Sequence, residues 1–310
     1  MKTTAPPLAR LMHATRDDVR HSPRLREASQ PIEPVAATPA AGPVRLLHAA
    51  AAILGGSVLF DSAVEHYRGS FQNRAMFLPP ISAMLNIGSS AHGIASRDTD
   101  AHPLRSLSYV ASLAIGALGA GFHLYNVTKR VGGFGWQNLF YGAPLGAPAA
   151  LALSGVVGLA ADRIAANEKH TGEATLLGLP AGRTLAALTS LGLMGTVSEA
   201  GLMHFRGNFQ NPAMYLPVTL PPVAAVVLAG AALRPTRRSR KAAKTWLGVT
   251  SVLGVAGVAL HCYGVSRAMG GWRNWRQNVV DGPPIPAPPS FTGLALAGLA
   301  ALTLIERASR

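Results

Sequence analysis

The sequence predicts an all-α, polytopic membrane fold. Eight transmembrane helices form two parallel tandem four-helix repeats after a disordered N-terminal tail. Three observations carry this expectation. Charged residues are only 14% of the 310 residues while apolar residues are 49%, whereas an ordinary soluble domain carries about 25% charge. The charges gather between long apolar stretches. One stretch of sequence is also written twice: residues 66–79 read HYRGSFQNRAMFLP and residues 204–217 read HFRGNFQNPAMYLP, with ten of fourteen positions identical.

Residues 1–43 are rich in Pro, Ala and Arg and lack the apolar run of a signal peptide, so they read as a disordered cytoplasmic tail. Apolar stretches at 44–66, 75–95, 104–128 and 139–161 build a first repeat over 44–166. Residues 167–182 form a cytoplasmic linker, and stretches at 184–204, 213–233, 244–266 and 288–306 build a second repeat over 183–310. Each stretch is near the ~20 residues that span a bilayer core as a helix. Gly and Ala are frequent inside them, and small residues let membrane helices approach closely. A water-soluble bundle is the bland alternative; eight apolar stretches with nearly charge-free centres argue against it.

The repeat extends beyond the first motif at an offset of 138 residues: His123-Leu-Tyr-Asn-Val-Thr-Lys aligns with His261-Cys-Tyr-Gly-Val-Ser-Arg. After two single-residue insertions, Gly132-Gly133 through Asn138 aligns with Gly270-Gly271 through Asn278. Four spans per copy mean that both copies enter the membrane in the same direction. An even number of crossings puts both termini on one side. That side holds 20 of the 28 basic residues, including Arg97, Arg105 and the run Arg237 to Lys244, and the other side holds 8. The positive-inside rule makes the richer side cytoplasmic and the compartment a plasma (inner) membrane. The net charge of +14 then fits a lipid-facing rim rather than a nucleic-acid surface.

Part of the repeated motif reads as architecture. Asn73 and Asn211 stand where a helix cap is needed, and Pro212 at a first helical position. Gly69, Gly207, Gly132-Gly133 and Gly270-Gly271 suit turns, and Lys129 and Arg267 suit helix C-termini. Pro79 and Pro217 are expected some six residues inside spans 2 and 6, where they would kink the helix. Asp61 and Glu199 are equivalent carboxylates inside spans 1 and 5, a costly placement that often marks function.

The remainder reads as a site. His66, His123, His204 and His261 all fall near the non-cytoplasmic face, with Arg68, Arg206, Gln72 and Gln210 beside them. Two imidazoles from neighbouring helices suit the axial positions of a b-type haem, and arginines suit its propionates. Gly116, Gly119, Gly121, Gly254 and Gly257 would leave room for the ring. Copper is the other candidate, held by the same histidines with Met76 and Met214. The implied role is electron transfer or membrane anchoring, with a quinone or an exported redox protein as partner, the chain standing alone or as a homo-oligomer. The alternatives are carriage of a small anionic solute and a scaffold without cofactor. His48 and His92 face Ala186 and Gly230 in the other copy, which sets them outside this site. No phosphate loop, zinc-protease helix or nucleophile elbow is present. With one cysteine, Cys262, the chain forms no internal disulfide. Enzyme activity of the chain alone is not expected.

Overall fold

The computed structural model describes residues 41–96 and 102–309. Of the expected tail over 1–43, residues 1–40 lie outside the described residues, as does Arg97 between the second and third helices, while residues 41–43 already belong to the first helix. Eight long helices follow one another: α1 Ala41–Arg68, α2 Leu78–Ala95, α3 Pro103–Thr128, α4 Gly146–Thr171, α5 Ala181–Arg206, α6 Leu216–Leu233, α7 Arg237–Arg267 and α8 Pro289–Ala308. Seven of them are long and apolar enough to cross a membrane, α6 being counted with the turn before it. The exception is α2, whose 18 residues include Ser82, Asn86, Ser89, Ser90 and His92. The chain is thus an all-α, multi-pass membrane protein. A two-residue hairpin, Thr175–Leu176 with Leu179–Pro180, joins α4 to α5.

Packing follows a ring in each group of four. The first group packs α1 on α2, α2 on α3, α3 on α4 and α4 back on α1. The second packs α5 on α6, α6 on α7, α7 on α8 and α8 back on α5. Helices α1 and α3, and likewise α5 and α7, therefore stand diagonally across their rings. The groups join chiefly along α1 and α8, where Leu47, Ala50, Ala51 and Leu54 share one core with Leu294, Ala295, Ala297 and Ala301. The outer faces are apolar: Phe60, Leu104, Leu118, Phe122, Leu191, Val226 and Val252 are all well exposed, as lipid-facing side chains should be.

Several glycines set how closely helices approach. A Cβ on Gly155 would lie 2.6 Å from the Leu113 backbone nitrogen, and one on Gly182 would lie 2.7 Å from that of Ile305. Gly116 and Gly254 belong to this class. A Cβ on Gly116 would clash with the Ala152 and Pro148 backbone, and one on Gly254 with Pro288 and Thr292. The expectation that these two make room for a flat ring is therefore corrected, since their missing side chains are filled by the next helix. Pro288 occupies the space at Gly257 and Pro148 that at Gly119, while Gly121 faces open space.

The motif loops take one local conformation. Asn73 accepts the Ala75 N–H at 2.9 Å, and Asn211 accepts that of Ala213 at 2.9 Å. Each asparagine caps a 3₁₀ turn, Arg74–Phe77 or Pro212–Tyr215, that leads into α2 or α6. Pro79 and Pro217 consequently sit in the first turn of their α-helices, where a missing N–H costs nothing. The expected kink there is not found; the prolines inside a helix are Pro221 and Pro222 of α6. Gly69 and Gly207 also act differently from expectation. The left-handed residues are Ser70 and Phe71, and Asn208 and Phe209. The two glycines instead admit a methionine: a Cβ on Gly69 would stand 3.0 Å from Cε of Met76, and one on Gly207 2.9 Å from Cε of Met214. Gly132, Gly133, Gly270 and Gly271 do hold positive φ, as expected of turn residues.

Candidate functional site

The four motif histidines are half-buried at the ends of α1, α3, α5 and α7. Each Nδ1 meets a backbone carbonyl: His66 meets Met76 at 2.6 Å, His123 meets Pro144 at 2.5 Å, His204 meets Met214 at 2.8 Å and His261 meets Pro284 at 2.7 Å. A carbonyl oxygen only accepts, so each Nδ1 carries the proton and donates it. Three of the four carbonyls need this donor because a proline follows them. Pro80 follows Met76, Pro148 follows Pro144 and Pro288 follows Pro284, each four residues on, whereas Val218 stands four beyond Met214. Proline supplies no N–H at the position where a helix would satisfy the carbonyl.

This bond leaves Nε2 of the neutral ring as a lone-pair donor, the tautomer that a ligating histidine adopts when its other nitrogen is fixed by a carbonyl. His204 and His261 approach across their ring, with centroids 6.5 Å apart and planes 70° apart. A shared ion held by both rings would need a comparable separation. His66 and His123 belong to the corresponding diagonal helices and lie close enough to interact electrostatically.

The motif arginines part company. Arg68 is exposed and donates to Glu65 at 2.9 Å, with Asp281 at 3.9 Å. Arg206 has Met203 in place of that glutamate and meets its sulfur at 3.5 Å. It stacks over Phe140, 5.2 Å from the ring centroid, and its buried Nε and Nη2 find no hydrogen-bond partner among the described residues. Gln72 and Gln210 are exposed. Met76 presents its carbonyl to His66 and its methyl to Gly69. Asp61 and Glu199 come within electrostatic reach of each other between the two groups of four. Glu199 accepts the Gly146 N–H at the start of α4, and its Oε1 is buried without a partner. No cluster of three or more His, Cys, Asp or Glu side chains suited to a metal occurs among the described residues.

A second polar assembly, set aside by the sequence reasoning, lies at the opposite end of the first group. Asp162, fully buried, accepts from Arg105 Nε at 2.6 Å and from Ser106 Oγ at 3.0 Å. His48 Nε2 stands 3.7 Å from the same carboxylate, and its Nδ1 is 2.9 Å from the Tyr109 hydroxyl. Tyr109 continues to Ser90 Oγ at 3.2 Å, and Ser90 donates to Asn86 Oδ1 at 3.4 Å. His92 approaches Arg105 at 3.5 Å and packs edge-on against His102. His48 fits because Gly93 beneath it has no Cβ, and Tyr109 because Gly158 has none. The available signal was an arginine and an aspartate at the ends of two apolar stretches.

No protein-family model, no curated protein and no solved structure matches the chain.

Proposed function

We propose that the chain is an electron-transfer or membrane-anchor subunit whose two four-helix groups each hold a redox cofactor between a pair of histidines. The pairs are His66 with His123 and His204 with His261. The observation that carries this reading is the fixed tautomer. All four Nδ1 atoms are spent on carbonyls, on helices that stand diagonally across a ring, so the Nε2 lone pairs are left for a shared ion. The spacing of His204 and His261 supports it. B-type haem suits the set better than copper, because the methionine methyl groups turn to Gly69 and Gly207 and imidazole alone suffices for haem. The unpartnered donors of Arg206, two residues from His204, offer a cation for a propionate.

The same reading makes the chain two parallel repeats crossing the membrane eight times, with α2 as the eighth span and both termini in the cytoplasm. The cofactors would then sit near the outer face of a plasma membrane, in reach of a quinone or an exported redox protein.

The test is an absorption spectrum with haem extraction and metal analysis of the purified full-length protein. A Soret band and about one haem per histidine pair are expected. A colourless, metal-free preparation from cells supplied with haem and copper would end the cofactor reading. Arg206 then favours a second reading, in which its two free donors hold a small anionic solute.

A further inference from the structure

The polar assembly of the first group has an internal control in the second. The 138-residue offset, 140 after the two insertions, pairs His48 with Ala186, Asn86 with Ala224, Ser90 with Leu228, Arg105 with Ala243, Tyr109 with Leu247 and Asp162 with Leu302. All six apolar counterparts are fully buried in the main core. The same helix positions thus close tightly without any charge. A buried ion pair adds little to stability over well-packed apolar groups, so the fold alone does not account for the charged version. Ionisable groups inside membrane segments mark ion or proton paths.

Its polar groups also form a line. Ser90, Asn86 and Ser82 recur every fourth residue on α2 and are buried, so they stack along one helix face over about 12 Å. Ser82 continues to Ser112 of α3 at 3.1 Å. One turn beyond Ser82, α2 begins at Leu78, beside the carbonyl that holds His66. Asn86 Nδ2, in the middle of this line, is buried without a hydrogen-bond partner among the described residues, a donor that asks for an acceptor.

We propose that the first four-helix group conducts protons, along a path from Asp162 and His48 through Tyr109, Ser90, Asn86 and Ser82 toward the end that bears His66. This does not rest on the cofactor reading. A proton arriving beside Asp162 binds Nε2 of His48. The proton on Nδ1 passes to the Tyr109 oxygen as the tyrosine proton passes to Ser90 Oγ. The serine hydroxyl then turns from Asn86 Oδ1 and gives its own proton to a water that accepts from Asn86 Nδ2. One proton enters and one leaves, and the path resets as the hydroxyls and the imidazole tautomer turn back. Arg105 and Ser106 hold Asp162 beside His48. Tyr109 and Arg105 come from α3, Asp162 from α4 and His92 from α2; these are the groups around the imidazole.

The full-length protein is reconstituted in phosphatidylcholine–phosphatidylglycerol vesicles holding a pH-sensitive dye and KCl. Dilution into potassium-free buffer with valinomycin makes the lumen negative and draws protons in. Wild-type vesicles are expected to acidify at least several-fold faster than protein-free ones. Tyr109→Phe keeps the ring over Gly158 but cuts both hydroxyl links, and should return the rate to the protein-free level. Asn86→Ala and the space-conserving pair His48→Ala with Gly93→Ala should do the same. Thr250→Val, at a buried hydroxyl of the second group, should leave the rate unchanged. Unfolding midpoints measured on the same preparations separate lost folding from lost conduction. Wild-type flux no greater than that of protein-free vesicles, or Tyr109→Phe and Asn86→Ala both as fast as wild type, would overturn the proposal.

Discussion

Removing Asp162 alone should be among the most damaging single changes in this chain, and copying the second group's core around it should repair the damage. Asp162 is fully buried and Arg105 is 4% exposed. Asp162→Leu takes from Arg105 its 2.6 Å carboxylate partner and from Ser106 its acceptor. Breaking one side of a buried ion pair costs about 3–5 kcal/mol. The second group already solves the same packing problem without charge. Leu247 lies against Gly298 where Tyr109 lies against Gly158, and Ala186 and Ala231 stand at the sequence positions equivalent to His48 and Gly93. The fivefold variant His48→Ala, Gly93→Ala, Arg105→Ala, Tyr109→Leu and Asp162→Leu should therefore unfold within about 1 kcal/mol of wild type, since apolar replacement of a buried pair is often neutral. Unfolding by SDS in mixed micelles, followed by the fluorescence of Trp246 packed on the core, measures both. Wild-type stability of Asp162→Leu would show that Arg105 is not held as described. A fivefold variant as weak as the single one would sink the claim that the two cores are interchangeable.

Other consequences are smaller in scope. His66→Ala should cost about 1–3 kcal/mol by stranding the Met76 carbonyl, and less in a Pro80→Ala background, where residue 80 regains an N–H; equal costs in the two backgrounds would refute the proline account of the histidines. If haem is present, His204→Ala and His261→Ala should each remove the cofactor of the second group only, as read by haem extraction, and loss from neither would mean other ligands. Gly116→Ala should destabilise by about 1–3 kcal/mol through overpacking, while Gly121→Ala, which meets open space, should be neutral or slightly stabilising in the same micelle assay. In a Cys262→Ser background, cysteines at Ser70 and Asn208 should react with an impermeant thiol reagent from one side of the membrane and one at Ser239 from the other; reaction of all three from one side would overturn the topology.

The membrane class was legible because bilayer thickness imposes length and apolarity directly, and both are countable in sequence. Caps were legible for the same reason: Asn73 and Asn211 act within two residues of themselves, so short-range pattern suffices. The misread prolines show the limit. The 3₁₀ turn before α2 and α6 shifts the start of each α-helix to residues 78 and 216, and apolarity does not distinguish a tight turn from the helix after it. Glycines were misread similarly. Gly116 and Gly254 look like free space in sequence, and only the neighbouring backbone reveals that they are contacts. The candidate site was legible as far as residue identity went. The acceptors at Pro144 and Pro284 lie 21 and 23 residues from their histidines, beyond any local pattern.

Residues that agree between the two groups of four are the turns, caps and histidines at one end. A second kind occurs in only one group. The Arg105–Asp162–His48–Tyr109 assembly is of that kind, and every apolar counterpart made it look like noise. Yet difference is the more informative signal once the positions are known to be equally buried. A copy that packs Leu302 and Leu247 at these positions shows that charge is not the fold's requirement there. On the proton-path proposal the two groups differ in work, whatever they share at the histidine end. A chain whose halves had each been replaced by the other, first–first and second–second, should separate the two roles. Histidine-end chemistry should survive in both, and proton flux only in the chain that keeps the first group.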